Sequence, residues 1–104
     1  MDAVMCKVLN KHKVGVPAGA VYIGRGSPWG NPFKIGQDGD RAAVIAKHDA
    51  WLRQRHHLLR TIGELRGKDL VCFCAPLACH GDLLLRLANG SREDMIAWWR
   101  AEPA

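Results

Sequence analysis

The sequence predicts an α/β domain with a short, mainly parallel sheet and covering helices, in two or three layers. Two short apolar stretches, Val21–Ile23 and Leu70–Cys74, are predicted as buried strands because they are rich in β-branched or aromatic residues. Leucine-rich segments with helical spacing lie between and after these strands. Strands that alternate with helices in this way are typical of parallel sheets.

The N-terminal part of the chain is predicted to contain two strands and a long loop. Val4–Leu9 alternates weakly and is predicted as a strand, followed by a polar turn at Asn10–Lys13. After the strand Val21–Ile23, the segment from Gly24 to Asp40 holds five Gly and two Pro, which exclude a regular helix. Because so long an irregular segment in a small domain is usually functional, we expect it to carry a site.

Helices are predicted on both sides of the strand Leu70–Cys74. Asp40 is placed to cap a helix from Arg41 to about Gln54, and apolar residues continue at helical spacing to Leu65, as one bent helix or as two.

Two further helices are predicted near the C-terminus. The first begins at Cys79 or Gly81 and ends at Asn89-Gly90. The second follows a capping box in which Ser91 precedes Asp94 by three residues.

Length and composition indicate one globular domain over residues 1–104. The chain is 48% hydrophobic and 24% charged, as in ordinary soluble proteins. It has no apolar run near the roughly 20 residues that cross a bilayer and no signal-peptide pattern. We therefore expect no membrane partner and a cytoplasmic location, where the four cysteines are thiols or metal ligands rather than disulfides.

The positive charge is concentrated in the first two thirds of the chain. Residues 1–68 carry twelve Lys/Arg and five Asp/Glu, a balance of +7, whereas residues 69–104 carry three and five, a balance of −2. A basic surface suits an anionic partner such as a nucleotide, a nucleic acid or an acidic protein, and it equally fits a solvated surface. The chain lacks the dense basic stripe with interleaved aromatic residues of a dedicated nucleic-acid-binding protein.

The glycine-rich loop after Val21–Ile23 has the composition of an anion-binding loop. Gly24, Gly26 and Gly30 allow positive φ and a close approach of backbone to ligand, and consecutive amides can form an anion-binding nest. Arg25 offers a planar donor fork for phosphate or carboxylate, and Asn31 offers a donor and an acceptor for a sugar or base. The spacing matches neither the dinucleotide fingerprint nor a Walker loop, and a long turn packed on the core is the alternative.

Cysteines cluster around the end of the second buried strand. Cys72 and Cys74 would share one face of a strand, and Cys79 and His80 return after a four-residue loop. This spacing fits a tetrahedral Cys₃His zinc set, although the usual Cys-x₂-Cys pairs are missing. Plain core cysteines and a reactive thiol are the other interpretations. Leucine-rich helices and four tryptophans can build a core, which argues against a tightly held structural zinc.

A reactive thiol is expected at Cys79 if this residue lies at the N-terminus of the following helix. Unpaired amides and the helix dipole would then lower its pKa. His80 would serve as a base beside it, and Asp82 would either join the chemistry or stabilise the first helical turn. These three residues are the candidate catalytic group.

With both motifs considered, the chain resembles a family of small phage and bacterial proteins that carry a domain of unknown function. The motifs that carry the resemblance, within residues 20–90, are Tyr22-Ile23-Gly24-Arg25, Gly30-Asn31-Pro32-Phe33, Asp38-Gly39-Asp40-Arg41, Gly67-Lys68-Asp69-Leu70-Val71-Cys72-Phe73-Cys74-Ala75-Pro76 and Cys79-His80-Gly81-Asp82. The family pattern includes Cys74 and Cys79 more firmly than Cys72. The resemblance implies a phage or prophage origin and a Rossmann-like fold. Tyr22, Arg41 and Cys74, which belong to these motifs, join the candidate ligand-binding residues.

The sequence thus predicts a small protein that binds a nucleotide or nucleotide-derived anion, with processing of that ligand left open. We expect it in the cytoplasm, which is that of the host cell if a phage encodes the protein. Two other functions fit the residues: a non-catalytic phage protein that acts on a host factor, with zinc as a stabilising ion, and a basic accessory protein that binds nucleic acid. The glycine-rich and cysteine-rich loops are expected to share one crevice, because parallel strands end on the same edge of a sheet.

Overall fold

The strands form a parallel sheet in which the last strand of the sequence lies in the middle. The computed structural model describes residues 6–74, 77 and 79–101. Strands β1 (Val8–Asn10) and β2 (Val21–Tyr22) each pair in parallel with the central strand β3 (Leu70–Cys72). The predicted parallel sheet is confirmed, and the carboxyl ends of all three strands open on one edge.

Helices occupy much of the remaining described chain. They are α1 (Lys11–Val14), α2 (Arg41–Arg53), α3 (His56–Thr61), α4 (His80–Asn89) and α5 (Arg92–Arg100), with a 3₁₀ helix at Ile62–Leu65 before β3. This mixed α/β architecture confirms the predicted fold class and is compatible with a Rossmann-like arrangement. Within the described ranges, no helix is long and apolar enough to span a bilayer.

Strand ends and the first turn differ from prediction. β1 runs from Val8 to Asn10, and the predicted start at Val4 lies outside the described residues. The predicted polar turn is a short helix, α1, because the side-chain oxygen of Asn10 accepts from the His12 N–H at 2.8 Å and caps it. β2 and β3 are also shorter than predicted, and β3 ends at Cys72.

Capping side chains determine where the later helices begin. Asp40 accepts from the Ala43 N–H at 2.8 Å and starts α2, as predicted. The predicted capping box of Ser91 and Asp94 is confirmed at the start of α5. Arg55 has a non-helical backbone (φ −100°, ψ 71°), so α2 does not continue past it. The apolar residues that follow at helical spacing lie in α3 and in the 3₁₀ helix.

The core is built where β3 packs against α4. All three residues of β3 are buried, and α4 contributes the fully buried Leu84. Further core residues are Ile23, Leu52, Leu58, Ile62, Leu65, Leu87 and Trp98. Since each fully buried leucine or isoleucine contributes about 1.5–3 kcal/mol, this cluster fixes α4 on the sheet.

Gly81 allows the first turn of α4 to lie directly on the sheet. A Cβ atom at this position would lie 2.7 Å from Ile23 Cδ1, 3.2 Å from Val8 Cγ2 and 3.3 Å from Cys79 Sγ. Any side chain here would require Ile23 or α4 to shift. The glycine therefore brings the N-terminus of α4 to the edge where β1 and β2 end.

We predict that Gly81→Ala lowers the free energy of unfolding by up to about 2 kcal/mol. Overpacking costs about 1–3 kcal/mol, and the roughly 1 kcal/mol that alanine gains in a helix offsets only part of it. Urea denaturation measures the change. Gly63→Ala is the matched control, because nothing lies within 4 Å of a Cβ there, and it should be neutral or slightly stabilising. An alanine variant at Gly81 as stable as wild type would contradict the close-approach argument.

Candidate functional site

A cavity of about 220 Å³ opens at the carboxyl edge of the sheet. Its walls come from the glycine-rich loop after β2, the start of α2 and the cysteine-rich segment after β3. The predicted site residues that line it are Gly24, Arg25, Asn31, Arg41, Cys72, Cys74, Cys79 and His80, whereas Tyr22, Gly26, Gly30 and Asp82 lie outside its walls. The expected crevice shared by the two loops is therefore confirmed.

His80 joins the two loops. Its Nε2 lies 2.8 Å from the carbonyl oxygen of Ile23, directly after β2. Burial lowers the pKa of His80, so the ring is neutral near pH 7. Because a carbonyl only accepts, Nε2 carries the proton and Nδ1 keeps its lone pair. The neutral ring thus holds the start of α4 against the start of the glycine-rich loop.

Three cysteine sulfur atoms meet at the cavity wall. The Sγ atoms of Cys72, Cys74 and Cys79 all lie within 4.8 Å of one another, and those of Cys72 and Cys79 are 3.1 Å apart. Three thiols at this spacing could hold a metal ion. Neither ring nitrogen of His80 belongs to this cluster of ligand atoms, so the Cys₃His set, which the sequence offered as an alternative, is not assembled.

The pKa of Cys79 is raised, contrary to the expected lowering. A hydrogen bond with the Cys72 thiol is the largest cause, and burial acts in the same direction. The Gly81 amide, which donates to Cys79 Sγ at 3.3 Å, opposes both and is the weaker influence. The prediction that the N-terminus of α4 lowers the pKa of Cys79 is therefore wrong, because the Cys79 thiol is packed closely against the other thiols.

Arg25 and Asn31 hold the glycine-rich loop together. The Arg25 guanidinium donates to the carbonyl oxygen of Asn31 at 3.2 Å and to that of Phe33 at 3.4 Å. The Asn31 amide donates to the Val44 carbonyl at 3.0 Å and accepts from the Phe33 N–H at 2.9 Å. Since a guanidinium has five N–H groups, Arg25 keeps three for an anion, whereas Asn31 uses both of its polar ends within the fold.

Tyr22 and Gly30 shape the loop from outside the cavity. Tyr22 donates its hydroxyl to the Arg25 carbonyl at 3.1 Å, and its ring fills the space beside Gly24. A Cβ at Gly30 would lie 2.6 Å from the Gly24 carbonyl oxygen, so only glycine fits there. The amides of Ser27 and Gly30 donate within the loop, and they are not available to the anion-binding nest that was predicted.

Asp82 stabilises the start of α4. Its carboxylate accepts from the Cys79 N–H at 3.1 Å, which completes a capping box. A carboxylate in the first turn also interacts favourably with the helix dipole. This geometry supports the structural interpretation of Asp82 over a role in chemistry.

An aromatic patch beside the cavity was not predicted from the sequence. It consists of the rings of His12, Tyr22 and Phe73, with the Lys11 ammonium next to them. Phe73 lines the cavity and is 44% exposed. Its ring centroid lies 4.7 Å from that of His12 and 6.1 Å from that of Tyr22, and the Lys11 ammonium lies 5.7 Å from it. The sequence signal for this patch was Asn10. A helix cap at the end of β1 places Lys11 and His12 at the carboxyl edge of the sheet.

His48 is a fully buried histidine behind the site. Its ring centroid lies 4.9 Å from that of His80 and 5.5 Å from that of Trp51. Neither ring nitrogen has a hydrogen-bond partner in the described part of the chain. Burial lowers its pKa to about 3, and the neighbouring His80 adds to the shift.

The fold and cavity define a small α/β domain with a cavity at the carboxyl edge of a three-stranded parallel sheet. Residues 7–90 match the family described as Domain of unknown function (DUF4326), and the chain belongs to that family. The chain is also 37% identical over 90 residues to an uncharacterized 12.4 kDa protein in the nrdA-td intergenic region of Enterobacteria phage T4, covering 82% of this chain and 79% of that protein. No solved structure matches the chain. The family resemblance inferred from the motifs is confirmed.

We predict that Asn31→Ala lowers the free energy of unfolding by about 1–3 kcal/mol, because it leaves partly buried backbone groups without their partners. Denaturant titration measures the loss. Gln37→Ala, at an exposed position of the same loop, is the control and should change stability by less than about 0.5 kcal/mol. Equal stabilities of the two variants would show that Asn31 does not brace the loop.

We predict that His48 makes the protein less stable in acid. Its folded pKa of about 3 lies below the value of 6.5 expected for an unfolded histidine. Between these pH values the unfolded chain binds the proton and the folded chain does not, so stability falls as the pH drops from 6.5 towards 3, by up to about 1.4 kcal/mol per pH unit. His48→Leu should flatten this slope, measured by urea denaturation in EDTA at several pH values.

His57→Leu provides the control for this pH experiment, because it removes an exposed histidine in place of the buried one. A His48→Leu protein with the wild-type slope would contradict the assignment of the acid sensitivity to His48.

Proposed function

We propose that the cavity binds a small anion of the nucleotide class, with its phosphate at Arg25 and Arg41 and its base against Phe73. The observation that carries this proposal is that two arginines and an exposed aromatic ring surround one largely apolar cavity. Each feature suits a different part of a nucleotide.

The charges around the cavity favour an anion. Arg25 and Arg41 both line it, and the described lining residues include no carboxylate. Guanidinium groups bind phosphate through paired N–H groups. Arg41 is the first residue of α2, so the positive end of that helix dipole lies on the same side. An anionic group would therefore meet favourable potential from two side chains and one helix.

The aromatic and apolar walls favour a flat ring. Phe73 is exposed at the cavity mouth, and Ile35 and Ile45 add apolar surface. Stacking of a base on an aromatic side chain contributes about 1–3 kcal/mol and does not depend on base identity. The Lys11 ammonium beside Phe73 adds a cation near the phosphate or the base.

The size of the cavity limits the ligand. Its volume of about 220 Å³ lies below the roughly 300–1,000 Å³ of pockets that enclose drug-sized ligands. A mononucleotide with its base partly exposed at Phe73 fits this size better than a dinucleotide. Cys79 and His80 line the same cavity, so any processing of the ligand would fall to them.

Cytoplasmic function is consistent with this proposal. The cysteines are thiols, and three of their sulfur atoms are within 4.8 Å of one another. Such a cluster would be oxidised outside a reducing compartment. Cellular nucleotides are found in the same compartment, which for a phage protein is the cytoplasm of the host.

We predict that at least one of the four ribonucleoside 5′-monophosphates binds the protein in EDTA, measured by isothermal titration calorimetry at low salt, and that NAD does not. Arg25→Ala should weaken binding about 10-fold to 100-fold, since a hydrogen bond to a charged group contributes about 1.5–3 kcal/mol. Arg25→Lys keeps the positive charge but loses the planar donor fork, so its affinity for the nucleotide should lie between those of the wild-type protein and Arg25→Ala. Arg66→Ala, at an exposed arginine outside the cavity wall, is the control.

The contribution of the base is separated with Phe73→Ala. This variant should weaken nucleoside monophosphates while ribose 5-phosphate binds as it does to the wild-type protein. The proposal fails if none of the four nucleotides binds, or if Arg25→Ala and Arg66→Ala have equal effects.

A further inference from the structure

We propose that Cys72, Cys74 and Cys79 bind one zinc ion whose fourth coordination position opens into the cavity. The site differs from the Cys₃His alternative that the sequence spacing suggests, because no fourth side chain among the described residues closes it. It does not depend on the identity of the ligand that the cavity binds.

The sulfur positions suit a tetrahedral ion. Zn–S bonds of about 2.3 Å at tetrahedral angles separate neighbouring sulfur atoms by about 3.8 Å. The observed separations start at 3.1 Å for Cys72 and Cys79 and do not exceed 4.8 Å within the cluster. Small side-chain rotations therefore bring all three sulfur atoms to bonding distance of one ion. Thiolate ligands select zinc over magnesium or calcium, which prefer oxygen.

The backbone around the cluster favours thiolates. The Cys74 N–H points at Cys72 Sγ over 3.4 Å, and the Gly81 N–H points at Cys79 Sγ over 3.3 Å. Hydrogen bonds to the charged form of a ligand stabilise that form. Cys79 is also the N-cap of the ten-residue helix α4, whose dipole favours negative charge at this end.

The fourth position is left to the cavity, because the cluster includes no fourth His, Cys, Asp or Glu ligand atom among the described residues. The sequence between Cys74 and Cys79 is Ala-Pro-Leu-Ala, which has no ligating side chain. All three sulfur atoms belong to residues that line the cavity.

Such an open site takes water or an anion as its fourth ligand. Structural zinc sites are closed by four protein ligands, whereas sites that act on a substrate keep one position for water or substrate. Zinc with three thiolates has a net charge of −1, which Arg25 and Arg41 across the cavity would balance. A small anion that enters the cavity would therefore meet the two arginines and the metal together.

The test begins with reduced protein that has been stripped with a chelator and desalted. After incubation with zinc and gel filtration, elemental analysis should find about one zinc per chain. Cobalt(II) in place of zinc should give the intense visible bands of a tetrahedral thiolate complex. Less than half an equivalent of zinc, or cobalt bands absent from the folded protein, would overturn the proposal.

Cys74→Ser is the main variant because Cys74 is only half-buried, so its replacement leaves the core intact. Zinc should be lost from this variant and retained by Cys6→Ser, the matched control outside the cluster. Far-UV circular dichroism shows whether each variant is folded. Stoichiometric zinc in a folded Cys74→Ser protein would overturn the three-thiolate assignment.

A separate measurement tests whether the fourth coordination position of the metal is open. Sodium azide added to the cobalt-loaded protein should shift the visible bands, because a fourth ligand can exchange. Bands that azide leaves unchanged would show a closed site and overturn the assignment of an open fourth position. Zinc uptake is measured without nucleotide, and the nucleotide titrations are run in EDTA, so failure of either proposal is recognised separately.

Discussion

The site depends first on the hydrogen bond between the His80 ring and the Ile23 carbonyl. Ile23 donates its N–H to the Val71 carbonyl at 2.9 Å and so extends the pairing of β2 with β3. Ile23 is fully buried, and a buried carbonyl without a partner is costly. His80 supplies the partner and is also the first residue of α4. One bond therefore ties the sheet, the glycine-rich loop and α4, and it leaves Cys79 facing back towards β3.

The polar side chains Arg25 and Asn31 of the glycine-rich loop form hydrogen bonds with backbone groups. A long irregular segment has many carbonyls and amides that no sheet or helix satisfies. Asn31 and Arg25 bind several of them, and the two residues differ in what remains. An amide side chain is largely committed by two such contacts, whereas a guanidinium still has three N–H groups. The loop can thus be rigid and still offer a cation to the cavity.

Sequence reasoning predicted the parts of the fold that depend on local pattern. The parallel sheet, the cap at Asp40 and the capping box at Ser91 follow from residue types at fixed spacing. Helix α1 was missed because four residues are too few to show a period. The raised pKa of Cys79 could not be predicted, since it comes from the proximity of Cys72, seven residues away in sequence and on another element. The roles of Asn31 and Asp82 likewise depended on which backbone groups happened to be within reach.

Burial of the His48 ring lowers the stability of the folded protein. Two ring nitrogens without described partners cost about 1–3 kcal/mol each, which a leucine at this position would avoid. The ring lies against His80 at an interplanar angle of 62° and against Trp51, so it limits how His80 can rotate. Because both histidines have lowered pKa values, both are neutral near pH 7 and the contact is free of charge repulsion. The packed His48 ring thereby helps to hold His80 in the orientation that bonds to the Ile23 carbonyl.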